Sequence, residues 1–81
     1  MIPEADFTKQ AKEFFRSRIG DAADPLTEDT ELVSSGIMDS LLVLEFFFFL
    51  EQIRGSAIEA EEFSVASVST LRKAYRLVAT Q

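Results

Sequence analysis

Asp39, Ser40 and Leu41 stand where an irregular acidic stretch gives way to the apolar run 41–50. They carry the most informative chemistry in this 81-residue chain. A serine at such a junction presents its hydroxyl at a surface corner. That hydroxyl is a poor nucleophile unless a neighbouring base takes its proton, and the chain has no histidine to act as one. Nothing in the chain therefore suggests that Ser40 performs chemistry itself. The plainest structural account makes Ser40 a helix N-cap and Asp39 an acid placed at the positive end of the helix.

The wider string runs Gly36-Ile37-Met38-Asp39-Ser40-Leu41-Leu42-Val43-Leu44-Glu45, with Leu50-Glu51 following. It resembles the 4′-phosphopantetheine attachment motif of acyl and peptidyl carrier proteins. There, Asp-Ser-Leu is followed by a glutamate five residues after the serine and by Leu-Glu at ten and eleven, the places of Glu45, Leu50 and Glu51. The resemblance covers roughly residues 7–78 and is sharpest over 32–51. It implies a non-catalytic carrier whose Ser40 receives 4′-phosphopantetheine from coenzyme A through a phosphopantetheinyl transferase. Asp39 would help that enzyme and its magnesium engage the site. The thiol of the arm would then hold cargo as a thioester. A loading ligase or acyltransferase would supply the cargo, and a condensing or transferring enzyme would collect it.

Three departures from the fatty-acid-synthesis pattern narrow the reading. Two residues, Ile37 and Met38, separate Gly36 from Asp39, as in D-alanyl carriers and some freestanding aminoacyl and hydroxyacyl carriers. Arg54 stands where an aromatic residue or leucine is common, and the block Phe46, Phe47, Phe48, Phe49 is bulkier than usual. The expected function is a discrete acyl or aminoacyl carrier of a natural-product or other dedicated biosynthetic pathway, loaded with small aminoacyl or hydroxyacyl groups. One alternative is a housekeeping acyl carrier of fatty acid synthesis. Another is a protein-interaction module in which Ser40 only caps a helix.

Composition bounds the rest. Eighty-one residues suit one domain, 1–81, near the lower end of what folds without a staple. Without cysteine there is no disulfide framework and no thiolate metal site. The net charge of −6 is uneven: residues 20–62 hold eleven acids against the single base Arg54, while residues 63–81 hold three bases and no acid. Such an acidic middle repels nucleic acid and steers basic protein surfaces toward it. No leader segment is legible, and the run 41–50 is too short to span a membrane. A soluble, cytoplasmic monomer is expected.

Periodicity predicts an all-α fold, an acyl-carrier-protein-like four-helix bundle of three longer helices and one short one, with a long first loop. The first helix is expected over 3–19, with Pro3 at its first position and Phe7, Ala11, Phe14, Phe15 and Ile19 inward. Leu26, Leu32, Val33 and Ile37 are the expected pins of the loop 21–39. A second helix is expected over 40–54, a short third over 60–63 anchored by Ile58 and Phe63, and a last over 69–80 capped by Ser69. At 100° per residue the second helix turns Leu42, Phe46, Phe49, Leu50 and Ile53 to the core, with Val43 at the edge. Leu41, Leu44, Phe47 and Phe48 fall outside that arc among Glu45, Glu51 and Gln52. Phe47 is divided between core and surface. Leu41, Leu44, Glu45, Phe48 and Glu51 form the expected docking face, apolar contacts supplying affinity and acids setting orientation.

Overall fold

The computed structural model describes residues 2–59 and 61–79. These residues form three α-helices and two short 3₁₀ turns, with no strand among them. Helix α1, Glu4–Ile19, starts just after Pro3, which is extended at φ −64° and ψ 150° and serves as the N-cap. Proline thus sits one position outside the helix instead of at its first residue. Phe7, Ala11 and Phe15 are buried on one face, as the i, i+4, i+8 spacing predicts. Phe14 and Ile19 pack half-buried beside them, and the Arg18 guanidinium stands 4.2 Å over the Phe14 ring. A 3₁₀ turn, Gly20–Ala23, follows directly.

The long connection 24–39 is fastened by main-chain bonds to the start of the last helix. The Leu32 amide donates to the Ser69 carbonyl at 2.7 Å, the Arg72 amide to Glu28 at 2.9 Å, and the Met38 amide to Leu32 at 2.9 Å. Leu26 and Leu32 are buried, Val33 and Ile37 pack against the core, and Met38 is buried as well. The pins expected from sequence are in place, with Met38 added to them. This anchoring lets a connection of unusual length stay ordered. Helix α2, Ser40–Arg54, keeps the expected bounds and ends on Gly55, whose φ of 78° suits the residue that stops a helix.

The expected short third helix is absent from residues 61–63, which form only a turn; Ala60 lies outside the described residues. The bundle therefore has three α-helices among the described residues. The physical reason lies in competing local bonds. Glu62 folds back so that its Oε2 accepts from the Glu59 amide at 3.1 Å, and Ser64 and Ser67 cap each other reciprocally. A single turn closed at both ends this way cannot repay helix nucleation. A 3₁₀ turn, Ala66–Val68, leads instead into α3, Leu71–Ala79. Thr70, not Ser69, caps α3, its Oγ1 accepting from the Lys73 amide at 3.1 Å. Ser69 donates its hydroxyl to the Ala66 carbonyl. The described part of α3 runs to Ala79, and Thr80 lies outside it.

Aromatic rings dominate the core. Phe7, Phe15 and Phe46 are fully buried with Leu32, Leu50, Val68 and Leu71. Phe46 meets Phe15 at 5.1 Å and stacks with Phe49 at 5.7 Å. Phe49 and Ile53, expected in the core, are half-buried at its rim, and Phe14, whose ring lies 4.8 Å from Phe49, is itself only half-buried. Inward residues of α3 are Leu71, Ala74, Leu77 and Val78, while half-buried Tyr75 donates its hydroxyl to the Ile2 carbonyl at 2.6 Å. Among the described residues no helix is long and apolar enough to cross a membrane.

Candidate functional site

The segment that enters α2 is held from behind. Met38 is buried and its amide is bonded to Leu32, so the next residue must turn outward. Asp39 does so at φ −110° and ψ −178°, and its Oδ1 accepts from the Leu42 amide at 2.8 Å. Asp39 is therefore the N-cap, a role worth about 0.5–2 kcal/mol, and Ser40 is the first helical residue. This corrects the expectation that Ser40 caps the helix. The consequence is chemical: with capping done by Asp39, the exposed Ser40 hydroxyl has no hydrogen-bond partner among the described residues. It stands on the first residue of α2, at the positive end of the helix, where added negative charge is favoured.

Two hollows flank this corner. One is an open apolar groove of about 360 Å³ lined by Ser40, Val43, Leu44, Phe47 and Phe63. Phe47 and Phe63 meet edge to face at 4.7 Å and form its far wall. A smaller hollow of about 180 Å³, on the Asp39 side, is lined by residues including Arg18, Ile37, Leu41 and Glu45. There the Arg18 Nε donates to Glu45 Oε1 at 3.3 Å. Half-exposed pairs of this kind contribute only about 0–1 kcal/mol, so their effect is chiefly on where the charges point.

The expected docking residues do not all behave alike. Leu41, Leu44 and Phe48 are 65%, 51% and 53% exposed, an apolar stripe leading away from Ser40. Glu45 lies beside it, paired to Arg18. Glu51 is set apart at the far end of α2, where its Oε2 accepts from the Ile58 amide at 2.8 Å and holds the following connection. Phe47 is half-buried against Phe63, which answers its ambiguous place on the helical wheel. Sequence reasoning allowed Phe47 to pack against the long loop or the short third segment but did not single out the Phe63 ring. The signal was available: Phe47 lies off the core arc, and Phe63 is the only aromatic residue in the stretch 50–74. Among the described residues no cluster of acids is arranged to hold a metal ion.

No protein-family model matches the chain, and no curated protein or solved structure matches it.

Proposed function

We propose that this chain is a discrete carrier protein that holds an acyl or aminoacyl group as a thioester on a 4′-phosphopantetheine arm attached to Ser40. The observation that carries the reading is the state of Ser40, exposed and without a hydrogen-bond partner among the described residues, because Asp39 has taken over the capping. A serine kept for structure would be spent on the helix end; this one is available to an incoming enzyme. The motif resemblance supplies the chemistry. In the transfer, the serine oxygen bonds to the phosphorus of coenzyme A that carries pantetheine, and the pyrophosphate linkage breaks, the adenosine bisphosphate half leaving with the bridging oxygen. The serine proton passes to a base of the transferase, consistent with the absence of histidine here. The resulting phosphodiester would lie at the first turn of α2, where helix amides and dipole favour an anion.

Asp39 would present the site to the transferase, while Leu41, Leu44, Glu45, Phe48 and Glu51 would be read by partner enzymes. The carrier would act without catalysing anything itself, as a cytoplasmic monomer serving a dedicated pathway. Glu51, already bonded to Ile58, would contribute mainly its charge.

Intact mass tests the reading. Incubation with coenzyme A and a broad-specificity phosphopantetheinyl transferase should add one phosphopantetheine, roughly 340 Da. Ser40→Ala should abolish the gain, and Ser35→Ala and Ser69→Ala should not. Modification of the Ser40→Ala protein would move the site elsewhere. If several transferases leave the wild-type chain unmodified, the exposed stripe of Leu41, Leu44 and Phe48 favours the interaction-module reading.

A further inference from the structure

Arg18 reaches the exposed face of α2 from the end of α1. Leu41, Glu45 and Phe48 stand at i, i+4 and i+7, so the Glu45 carboxylate lies within the apolar stripe that leads away from Ser40. Three contacts hold the Arg18 guanidinium beside it. The group stacks 4.2 Å over Phe14, Nη1 donates to Ser17 Oγ at 2.5 Å, and Nε donates to Glu45 Oε1 at 3.3 Å. Phe14 is a firm platform, because its own ring meets Phe15, Phe46 and Phe49 at 5.2, 5.5 and 4.8 Å. A planar guanidinium stacked in this way is placed in advance and gives up little freedom on bonding. Its Nη2 has no acceptor among the described residues, and the side chain is 40% exposed.

We propose that Arg18 sets the charge selectivity of the docking face. It offsets Glu45 and presents Nη2 outward, so the face fits an apolar partner surface that carries a carboxylate and disfavours one that brings a lysine or arginine to Glu45. What the partner does rests on the carrier reading; the charge it must carry follows from Arg18 and Glu45 alone. A cation approaching Glu45 meets a guanidinium already in place, and like charges juxtaposed across an interface are costly. A carboxylate instead finds unused N–H donors on a fork whose shape matches it. Asp39, the other acid lining the hollow with Arg18 and Glu45, has its Oδ1 on the Leu42 amide at 2.8 Å, at the positive end of α2 where its charge is partly offset. An ion pair as exposed as Arg18–Glu45 contributes little to folding, so the placement matters chiefly for what approaches the face. The acidic middle of the chain thus attracts basic surfaces at long range, while the stripe on α2 selects against them at contact.

Exposed Leu41 lines the same hollow as Arg18 and Glu45, and the chain has no cysteine. Leu41→Cys therefore supplies one thiol at the edge of the face. That protein is equilibrated with equal amounts of two symmetrical disulfides, those of 4-(mercaptomethyl)benzoate and 4-(mercaptomethyl)benzylamine. The introduced thiolate attacks one sulfur, forms a mixed disulfide and releases the other half as a thiol, with no net oxidation. Intact mass then gives the ratio of carboxylate to ammonium adduct. The carboxylate adduct should predominate in Leu41→Cys, despite the net charge of −6. Adding Arg18→Gln should move the ratio roughly fivefold toward the ammonium adduct, and adding Glu45→Gln should move it the other way. Arg18→Lys, which keeps the charge but loses the flat stack on Phe14, should leave the carboxylate adduct ahead by a smaller margin. All three positions lie outside the buried core, so the variants should keep the fold. Predominance of the ammonium adduct in Leu41→Cys would overturn the proposal, and so would a ratio unmoved by Arg18→Gln. The fragments are attached chemically and away from Ser40, so this ratio stands apart from the mass gain that decides the carrier reading.

Discussion

The two connections that flank α2 are fastened by different means. The first, 24–39, is tied through backbone hydrogen bonds to Ser69 and Arg72 and through the buried side chains of Leu26, Leu32 and Met38. The second, leading from Gly55 to Phe63, buries Ile58 but is anchored to α2 by carboxylates, Glu51 on the Ile58 amide and Glu62 on Arg54. Main-chain bonds tolerate changes of charge. Carboxylate anchors do not. The first connection therefore fixes the position of Asp39 and Ser40 firmly, while the second holds the groove wall through the carboxylates of Glu51 and Glu62. Firm presentation of the Asp39–Ser40 corner is compatible with the carrier proposed above, whose site would have to stay constant.

The comparison breaks most severely at Leu32. This side chain is fully buried and its backbone joins both Ser69 and Met38. Leu32→Ala should cost about 2–5 kcal/mol in denaturant unfolding, well above the loss from Glu62→Ala. Equal losses would mean that the first connection is no better anchored than the second.

Acid should separate the two connections next. Hydrogen bonds from the Arg72 guanidinium, at 2.8 Å and 3.2 Å, hold the Asp29 carboxyl below the usual carboxylate range. The Glu59 amide, and after it Arg54, lower Glu62 in the same way. Because both values are lower folded than unfolded, their stabilisation is fully present above the ordinary carboxylate range. It is lost as pH falls through the folded values. The first connection then keeps its main-chain bonds, whereas the second loses the Glu62 contacts to Arg54 and Glu59. Amide protection factors should fall earlier on acidification across 58–63 than across 28–38. Simultaneous loss would place both segments in one cooperative unit.

The smallest effect is expected at Phe48, which belongs to neither connection. Phe48→Ala should change stability by no more than about 0.5 kcal/mol, while weakening loading by a partner enzyme. Phe46→Ala should cost about 3–5 kcal/mol. A large loss at Phe48 would show that the exposed stripe supports the fold, and docking would need another surface.

Much of this arrangement was legible in the chain itself. The period of 3.6 and the glycines placed α1 and α2 to within a residue, because long amphipathic segments with a stop signal leave few alternatives. Leu44 and Phe48 were legible as surface because a helix in a small bundle has one buried face. Shorter signals misled. Glu61, Glu62 and Phe63 have helix-compatible types, yet side-chain bonds to Glu59 and Arg54 organise them as a turn. Phe49 belongs to the core arc of the wheel, but its outer neighbour Phe14 is itself only half-buried.

By itself, then, the sequence determined the helical class, the span of the second helix and the placement of Asp39-Ser40 at its start, since these depend on local propensity and spacing. Tertiary structure decided which of two adjacent good caps would be used. Met38 is anchored in the core and bonded to Leu32, which leaves Asp39 extended and gives it the Leu42 amide. It also decided that Phe47 would find Phe63 rather than water. Both outcomes rest on contacts between residues brought together only when the chain folds, and no local period encodes them.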